Sequence, residues 1–241
     1  MVKNCLFLSI FLCCFTVSFL AESANQRIKA GISPEFINGA DAKVLKYLAQ
    51  QLQVEIEFVP MPLARRLQAI KENKLDILIN LTRTQAREKD MIFLDPAYAS
   101  LRYGFFKLKE NSATINSYQD LVGKTVGVIR KSKYFEPFDN DDGITRFPVA
   151  TIKKNIELLL HKRIDAFIYY PVTGKKVIAD MGAQEQIELS SYLITAEHLY
   201  IAIAKESRLL GKKAALEEII KQAVTSGKIT QIQQEHYGVK F

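Results

Sequence analysis

KLDILINLTRTQAREKDMIFLDPAY, residues 74–98, joins a short apolar run to a cluster of polar side chains. The run Ile-Leu-Ile at 77–79 predicts a short strand that is buried on both of its faces. Thr82, Thr84 and Arg87 follow where this strand ends, and open α/β sheets hold their ligands at that edge. The segment therefore predicts a strand that delivers a site for a small anion.

The polar cluster also has the pattern of a helix start. Thr84 is expected to be the N-cap, and Arg87 then occupies the third helical position, close to free backbone N–H groups. The planar guanidinium of arginine donates two parallel hydrogen bonds, which suits a carboxylate. The alternative interpretation is a helix cap followed by an exposed arginine.

Strand-like and helix-like segments alternate along the rest of the chain. Val54, Ile56 and Phe58 alternate with polar residues as in a strand, whereas the apolar residues of 41–52 recur at helical spacing. Strands are predicted at 27–32, 54–59, 77–79, 125–129, 164–170 and 199–205, and helices at 41–52, 63–72, 152–161, 212–225 and 229–237. This α/β pattern predicts mostly parallel sheets with flanking helices, arranged as two successive lobes.

The first 24 residues have the layout of a secretory signal peptide. Lys3 precedes the apolar run CLFLSIFLCCFTVSFL, and the small polar stretch AESANQ follows it. The run is shorter than the roughly 20 apolar residues that a membrane-spanning helix needs, so cleavage after Ser23 or Ala24 is expected. A retained membrane anchor is the alternative.

The three cysteines, Cys5, Cys13 and Cys14, all lie in this leader. The exported chain would contain no cysteine, which excludes disulfides and thiolate metal ligands and leaves stability to the apolar core. Bulky residues precede Cys13 and Cys14, so a lipoprotein cleavage site is not expected. These features predict a soluble periplasmic protein.

The chain carries a net charge of +7, and its pI is about 9.2. The predicted leader holds one basic and one acidic residue, Lys3 and Glu22, so the exported protein keeps this charge. Basic residues are spread among acidic ones without a basic block, and export argues against a nucleic-acid partner. The charge favours anionic ligands or an acidic partner surface.

The sequence lacks the signatures of common enzyme and metal sites. His161, His198 and His236 have no metal-binding spacing, so no metal or other cofactor is expected. No GxSxG elbow, P-loop or GxGxxG motif occurs, which argues against the commoner nucleophilic and nucleotide-binding enzymes.

Short motifs along nearly the whole exported chain resemble those of a known family. They are, in chain order, Gly39-Ala40-Asp41, Asn73-Lys74-Leu75-Asp76, Thr84 to Arg87, Phe93 to Tyr98, Asp120 to Val128, Lys162 to Ala166, and Gly227-Lys228-Ile229 with Glu235 to Gly238. Their order and content are similar to those of the family 3 extracellular solute-binding proteins, the polar amino-acid type of periplasmic binding protein. The resemblance implies the type II periplasmic binding fold, in which two α/β lobes enclose a small ligand as they close.

The resemblance also implies how the chain is divided. Two crossings between the lobes are expected near 99–104 and 195–199. Lobe 1 would then consist of residues 25–101 and 198–241, and lobe 2 of residues 102–197. A protein of this kind delivers its solute to an inner-membrane ABC permease and works as a monomer.

The resemblance implies that residues 74–98 supply ligand contacts from lobe 1. Arg87 occupies the position whose arginine clamps the ligand carboxylate, and Thr82 and Asn80 stand where hydroxyl or backbone contacts are usual. In lobe 2, Ser132 matches a residue that completes the carboxylate cradle. Lys133, beside it, adds positive charge where lobe 2 closes on the anion.

Several positions depart from the family pattern. Tyr170 stands where an aspartate usually pairs with the ligand ammonium, so an ordinary α-amino acid would need another acidic group, Glu35 or one within 136–142. The usual aromatic platform is missing, and Phe36 is expected to stack on the ligand in its place. Arg65 is expected to face the cleft. The alternatives are a core or rim position for Phe36 and a solvated helix position for Arg65.

Two other functions are open on the same fold. Periplasmic cyclohexadienyl dehydratases resemble these binding proteins and use a cleft acid, a role that Glu35 or Glu136 would have to fill here. Similar lobes also form receptor sensor domains, so the chain would instead be the ligand-sensing partner of a separate membrane receptor.

Overall fold

The computed structural model describes residues 27–110 and 114–238. The predicted signal peptide at 1–24, with its three cysteines, lies outside the described residues. Within the described part, no helix is both long and apolar enough to span a membrane.

The amino-terminal part follows the predicted alternation of strands and helices. Its elements are β1 (Ile28–Ile32), α1 (Ala40–Gln51), β2 (Ile56–Pro60), α2 (Leu63–Lys71), β3 (Ile77–Thr82) and α3 (Gln85–Glu88). β1 pairs in parallel with both β2 and β3. β3 extends beyond the predicted 77–79, and the side chains of Ile77, Leu78 and Ile79 are at most 4% exposed. The strand is therefore buried on both faces, as predicted.

Two strands of 18 residues each dominate the remainder of the chain. The elements are β4 (Met91–Leu108), β5 (Thr125–Ile129), β6 (Thr145–Val149), α4 (Ile152–Leu160), β7 (Ala166–Tyr169), α5 (Pro171–Asp180), β8 (Ile187–Ala204), α6 (Lys213–Thr225) and α7 (Lys228–Tyr237). The sequence pattern predicts β5, α4, β7, α6 and α7 but not β4, β6 or α5. Of β8 it predicts only the last third.

Eight strands form one sheet within the described residues, in the order β2-β1-β3-β8-β4-β7-β5-β6. The outer blocks, β2-β1-β3 and β7-β5-β6, are parallel. β8 and β4 lie antiparallel in the middle and join the two blocks. The register of their pairing shifts between Leu94 and Ala99 and again between Leu101 and Tyr103, close to the crossing expected near 99–104.

The apolar cores fall into two groups. Two cores consist of buried residues from 28–98 and 199–232, whereas two others consist of buried residues from 103–194. We call the part around the first group lobe 1 and the part around the second group lobe 2. The bounds expected at 101/102 and 197/198 lie between the groups and stay predictions.

Candidate ligand-binding cleft

A cleft lies where the carboxyl ends of the parallel strands of the two lobes meet. Ile32 of β1 and Asn80 of β3 line it from lobe 1, while Ile129 of β5, Ala150 after β6 and Tyr170 after β7 line it from lobe 2. The cavity within it measures about 80 Å³. Open α/β sheets bind ligands at this edge, so the topology favours a site for a small solute here.

A buried arginine supplies positive charge to this cleft. α2 places Leu63, Arg66, Ala69 and Ile70 on its buried face, and Arg66 is only 9% exposed. Its side chain lines the cleft, and its Nε is buried without a hydrogen-bond partner in the described part of the chain. Burial lowers the pKa of Arg66 to about 10, an effect that the charge of Asp41 opposes. The guanidinium therefore stays protonated at neutral pH.

Asp41, in the first turn of α1, orients the lobe 1 wall of the cleft. Its carboxylate accepts hydrogen bonds from the Tyr98 hydroxyl and the Asn80 amide, both at 2.9 Å. Burial raises the pKa of Asp41, although these hydrogen bonds and the charge of Arg66 lower it in part. Asn80 is thereby held with its amide oxygen positioned to accept the Tyr170 hydroxyl, at 3.0 Å, from lobe 2.

Tyrosine side chains form much of the lobe 2 wall. The rings of Tyr103 and Tyr170 stack with their centroids 4.8 Å apart, and their hydroxyl oxygens are 3.1 Å from each other. The Tyr103 hydroxyl also donates to the Lys133 carbonyl at 3.3 Å, and Tyr134 packs edge-on against Tyr103. Burial raises the pKa of Tyr170 well above its ordinary value, so this position presents a neutral phenol to the cleft.

The helix cap and the arginine of the opening segment lie where the two lobes touch. The Thr84 hydroxyl accepts the backbone N–H of Arg87 at 3.3 Å, which confirms Thr84 as the N-cap of α3. Arg87 is 9% exposed, so the alternative of an exposed arginine is wrong. Its guanidinium donates to the Thr82 carbonyl at 2.7 Å and to the Lys131 carbonyl at 2.9 Å. Arg87 therefore connects lobe 1 to lobe 2.

The other residues of the predicted site divide into some that line the cleft and some, among them Thr82 and Lys133, that do not. Ser132 and Phe36 line the cleft, and Phe36 also packs against a lobe 2 core. The Thr82 hydroxyl donates to the Lys133 carbonyl at 3.5 Å. The Lys133 ammonium, which is exposed, lies 4.0 Å from the Asp139 carboxylate. These residues are brought together, and their contacts with a ligand stay predictions.

Glu35 of lobe 1 makes a further contact between the lobes, at the amino terminus of α4 in lobe 2. Its carboxylate accepts the backbone N–H groups of Ile152 and Lys153, at 3.3 and 3.0 Å, in the first turn of α4. Burial raises the pKa of Glu35, although these hydrogen bonds lower it in part. Glu35 and Asp41 both line the cleft, so two carboxylates stand near the buried Arg66.

The comparison of the whole chain with known proteins agrees with this geometry. A model of the bacterial extracellular solute-binding proteins, family 3, matches residues 32–239. The chain belongs to this family. It is a solute-binding component of transport rather than an enzyme, as its relatives are. The dehydratase alternative finds no support among them.

Individual relatives of this family 3 protein include several that are named for arginine. The arginine-binding extracellular protein ArtP of Bacillus subtilis (strain 168) is 24% identical over 239 residues, covering 90% of this chain and 88% of that protein. An amino acid ABC transporter substrate-binding protein from Streptococcus pneumoniae, solved with L-arginine, has a TM-score of 0.76, 20% identity and coverage of 88% and 94%. Holo ArgBP from T. maritima has a TM-score of 0.72, 24% identity and coverage of 87% and 95%. At these identities the structures show the type II periplasmic binding fold.

The sequence pattern of this solute-binding protein singles out Arg65, whereas Arg66 is the arginine that lines the cleft. Helical spacing carries the missed signal, because Arg66 follows Leu63 by three residues and precedes Ile70 by four. Arg65 is exposed on α2, and its contact with a ligand stays a prediction. Among the described residues, no group of three or more metal-ligating side chains occurs.

Proposed function

We propose that the protein captures a small amino-acid-like anion between its lobes and delivers it to an ABC permease of the inner membrane. Family membership and the two-sided cleft support the capture of a solute. The predicted signal peptide supports a periplasmic location. The relatives that are named for arginine support an amino acid as the solute class.

Arg66 is the observation that carries this proposal. Its guanidinium lines the cleft, is 9% exposed and keeps a buried Nε without a partner among the described residues. A buried donor that makes no hydrogen bond costs about 1–3 kcal/mol, and more when it is charged. A carboxylate matches both the charge and the planar fork of the guanidinium, so a bound anion would remove this cost.

The carboxylates of the cleft favour an anion over a cation. Glu35 already accepts two backbone N–H groups of α4, and Asp41 accepts Tyr98 and Asn80. Both acids are thus satisfied within the protein, whereas Arg66 is not. The guanidinium of an arginine ligand would also be repelled by Arg66. The relatives therefore support an amino acid as the solute. The cleft supports a solute whose side chain accepts hydrogen bonds rather than one that carries a positive charge.

Arg87 is the second cation that we propose to contact the solute, although it is not among the residues that line the described cavity. In the family pattern, the arginine at this position binds the carboxylate of the solute. In the present structure its guanidinium donates to the carbonyls of Thr82 in lobe 1 and Lys131 in lobe 2. A carboxylate held by Arg87, with Ser132 completing the cradle, would contact both lobes at once. Such contacts are what favours the closed state over the open one.

Calorimetric titration with L-amino acids, dicarboxylates and aromatic acids tests the proposal. We expect an acidic amino acid or a dicarboxylate to bind, and L-arginine to bind more weakly because of Arg66. Tightest binding of L-arginine would overturn the anionic assignment and leave the family function intact.

Two adjacent arginines provide a matched pair of variants. Arg66→Ala is expected to weaken binding of the solute by at least about thirtyfold, because truncating one partner of a buried charge pair costs about 2–5 kcal/mol. Arg65→Ala, one residue away on the exposed face, is expected to change the affinity less than about threefold. Equal affinities of Arg66→Ala and wild type would remove Arg66 from the site.

Arg87→Ala tests the clamp separately. A solute present at one hundred times its Kd adds about 2.7 kcal/mol of apparent stability to the wild type, which a thermal melting experiment detects. We expect this stabilisation to be lost in Arg87→Ala. An unchanged melting shift would contradict the clamp role.

A further inference from the structure

A second cavity, of about 410 Å³, lies next to the ligand-binding cleft. Five residues line both cavities and so form the wall between them: Phe36, Asp41, Asn80, Tyr169 and Tyr170. Hydrogen bonds from Tyr170 to Asn80 and from Asn80 to Asp41 run along this wall. The second cavity therefore adjoins the cleft across these shared residues and is several times larger than the cavity there.

Both lobes, and the strands that join them, line this second cavity. Lobe 1 contributes Tyr237 of α7, and lobe 2 contributes Val172 and Thr173 in the first turn of α5. Leu101 of β4 and Leu193 of β8 lie on the two long strands. The hydroxyls of Thr173 and Tyr237 are 2.9 Å apart, which adds a contact between the lobes beside the cavity. A molecule in this space would touch both lobes.

The chemistry of the lining differs from that of the cleft. The lining of the second cavity is mainly apolar, because it includes Leu101, Val172, Leu193 and the aromatic wall residues. Leu193 is 41% exposed. Arg102, which is exposed, is the cation among the described lining residues. The acid of the lining, Asp41, already accepts two hydrogen bonds. Apolar and aromatic surface with one available cation suits a flat ring that carries a negative charge.

We propose that the second cavity binds a small aromatic carboxylate, with its ring against Leu101, Tyr170 and Leu193 and its carboxylate on Arg102. Because such a molecule contacts both lobes, its binding favours the closed arrangement. Coupling through closure then raises the affinity for the solute in the first cleft, and vice versa. This coupling depends on the proposed function, whereas the second site itself does not.

Benzoate, titrated without any other solute, is the probe that tests the site. We expect saturable binding by calorimetry, with shifts of the methyl NMR signals of Leu101, Val172 and Leu193 that follow the same isotherm. Binding without any shift of these methyl signals would overturn the proposal, as would the absence of saturable binding.

Variants of the two cavities separate the sites. Val172→Trp, which fills the second cavity, is expected to weaken benzoate at least about tenfold. The Arg66 side chain lines the first cleft but not the second cavity, so Arg66→Ala is expected to weaken benzoate binding less than Val172→Trp does. Loss of benzoate binding in Arg66→Ala, with retention in Val172→Trp, would instead place the ring in the first cleft and overturn the proposal. Leu193→Trp, at a partly exposed position, repeats the filling test if Val172→Trp does not fold.

The charge of Arg102 has its own test. Arg102→Gln is expected to weaken benzoate by about tenfold while leaving the neutral analogue benzyl alcohol unchanged, because only the carboxylate uses the guanidinium. Arg65→Gln, another exposed arginine, serves as the matched control. Equal losses for benzoate and benzyl alcohol would contradict the contact with Arg102.

Discussion

At the scale of single residues, Gly127 in β5 lies directly against a fully buried side chain of α4. Asn155 of α4 is fully buried, and its side-chain oxygen and nitrogen have no hydrogen-bond partners in the described part of the chain. A Cβ at Gly127 would overlap that oxygen and lie 2.7 Å from Cδ1 of Ile164. Gly127→Ala is therefore expected to lower the free energy of unfolding by about 1–3 kcal/mol, measured by urea denaturation.

Gly211 provides the control for this prediction. A Cβ at Gly211 would meet no atom within 4 Å, so Gly211→Ala is expected to leave the free energy of unfolding within about 0.5 kcal/mol. Equal losses in both variants would mean that contact with Asn155 and Ile164 does not set the cost.

Some residues of the candidate site can be predicted from the sequence, and others cannot. Thr84 is predicted correctly as a helix cap because a cap depends on residues three positions away. The choice between Arg65 and Arg66 depends on which side of α2 is buried, and the spacing from Leu63 and Ile70 contains that information. The contact of Arg87 with Lys131 could not be predicted, because it joins parts of the chain that are 44 residues apart.

At the scale of elements, the contact between Glu35 and α4 makes stability depend on pH. Burial raises the pKa of Glu35 in the folded protein above its ordinary value, despite the backbone N–H groups of Ile152 and Lys153. A raised carboxyl pKa means that the folded state binds the proton more tightly than the unfolded state. The resulting stabilisation is fully present below the unfolded pKa of about 4.5 and is lost as the pH rises through the folded pKa.

Glu35→Gln isolates this effect, because its amide oxygen can still accept from α4 but does not titrate. We expect wild type to gain stability relative to Glu35→Gln as the pH falls from 7 towards the unfolded pKa, and the difference to level off below it. Urea denaturation across this range measures it. A difference that is constant with pH, or that changes with the opposite sign, would contradict the raised pKa.

Among the secondary-structure elements, the two long strands β4 and β8 are the hardest to predict from the sequence. β3 is predicted correctly, because its residues are buried on both faces and therefore form a continuous apolar run that is visible in the sequence. β4 contains Pro96 and a change of register between Leu94 and Ala99, so its alternation of apolar and polar residues is interrupted. Its identity as an 18-residue strand comes from pairing with β8, roughly 100 residues away, and pairing at that distance leaves no local signal.

At the scale of the whole molecule, several separate contacts hold the two lobes together. They include Glu35 on α4, Arg87 on the Lys131 carbonyl, Tyr170 on Asn80, and Thr173 with Tyr237. Each hydrogen bond of this kind is worth about 0.5–1.5 kcal/mol, so together they bias the open–closed equilibrium without fixing it. The solute then needs to supply only the remaining difference between the two states.

Tyr170→Phe tests this view of closure. The variant keeps the ring that stacks on Tyr103 but removes the hydroxyl that donates to Asn80 of the other lobe. The free protein should then populate the closed arrangement less, and the apparent solute affinity should fall by about 2- to 10-fold. Small-angle X-ray scattering should give a larger radius of gyration for the solute-free variant than for wild type, with the same radius for both when saturated with solute.

Tyr118→Phe is the matched control for the loss of a tyrosine hydroxyl. The Tyr118 hydroxyl donates to Asp141 at 2.6 Å, and both residues belong to lobe 2, so this bond does not report on closure. We expect Tyr118→Phe to leave solute affinity and the solute-free radius unchanged, even if it lowers the free energy of unfolding. If both variants weakened binding equally, the affinity would follow the stability of lobe 2 rather than the closure of the two lobes. A loss of affinity confined to Tyr170→Phe, together with a larger solute-free radius, would mean that the phenol at this position acts in closure, where the family usually places an aspartate.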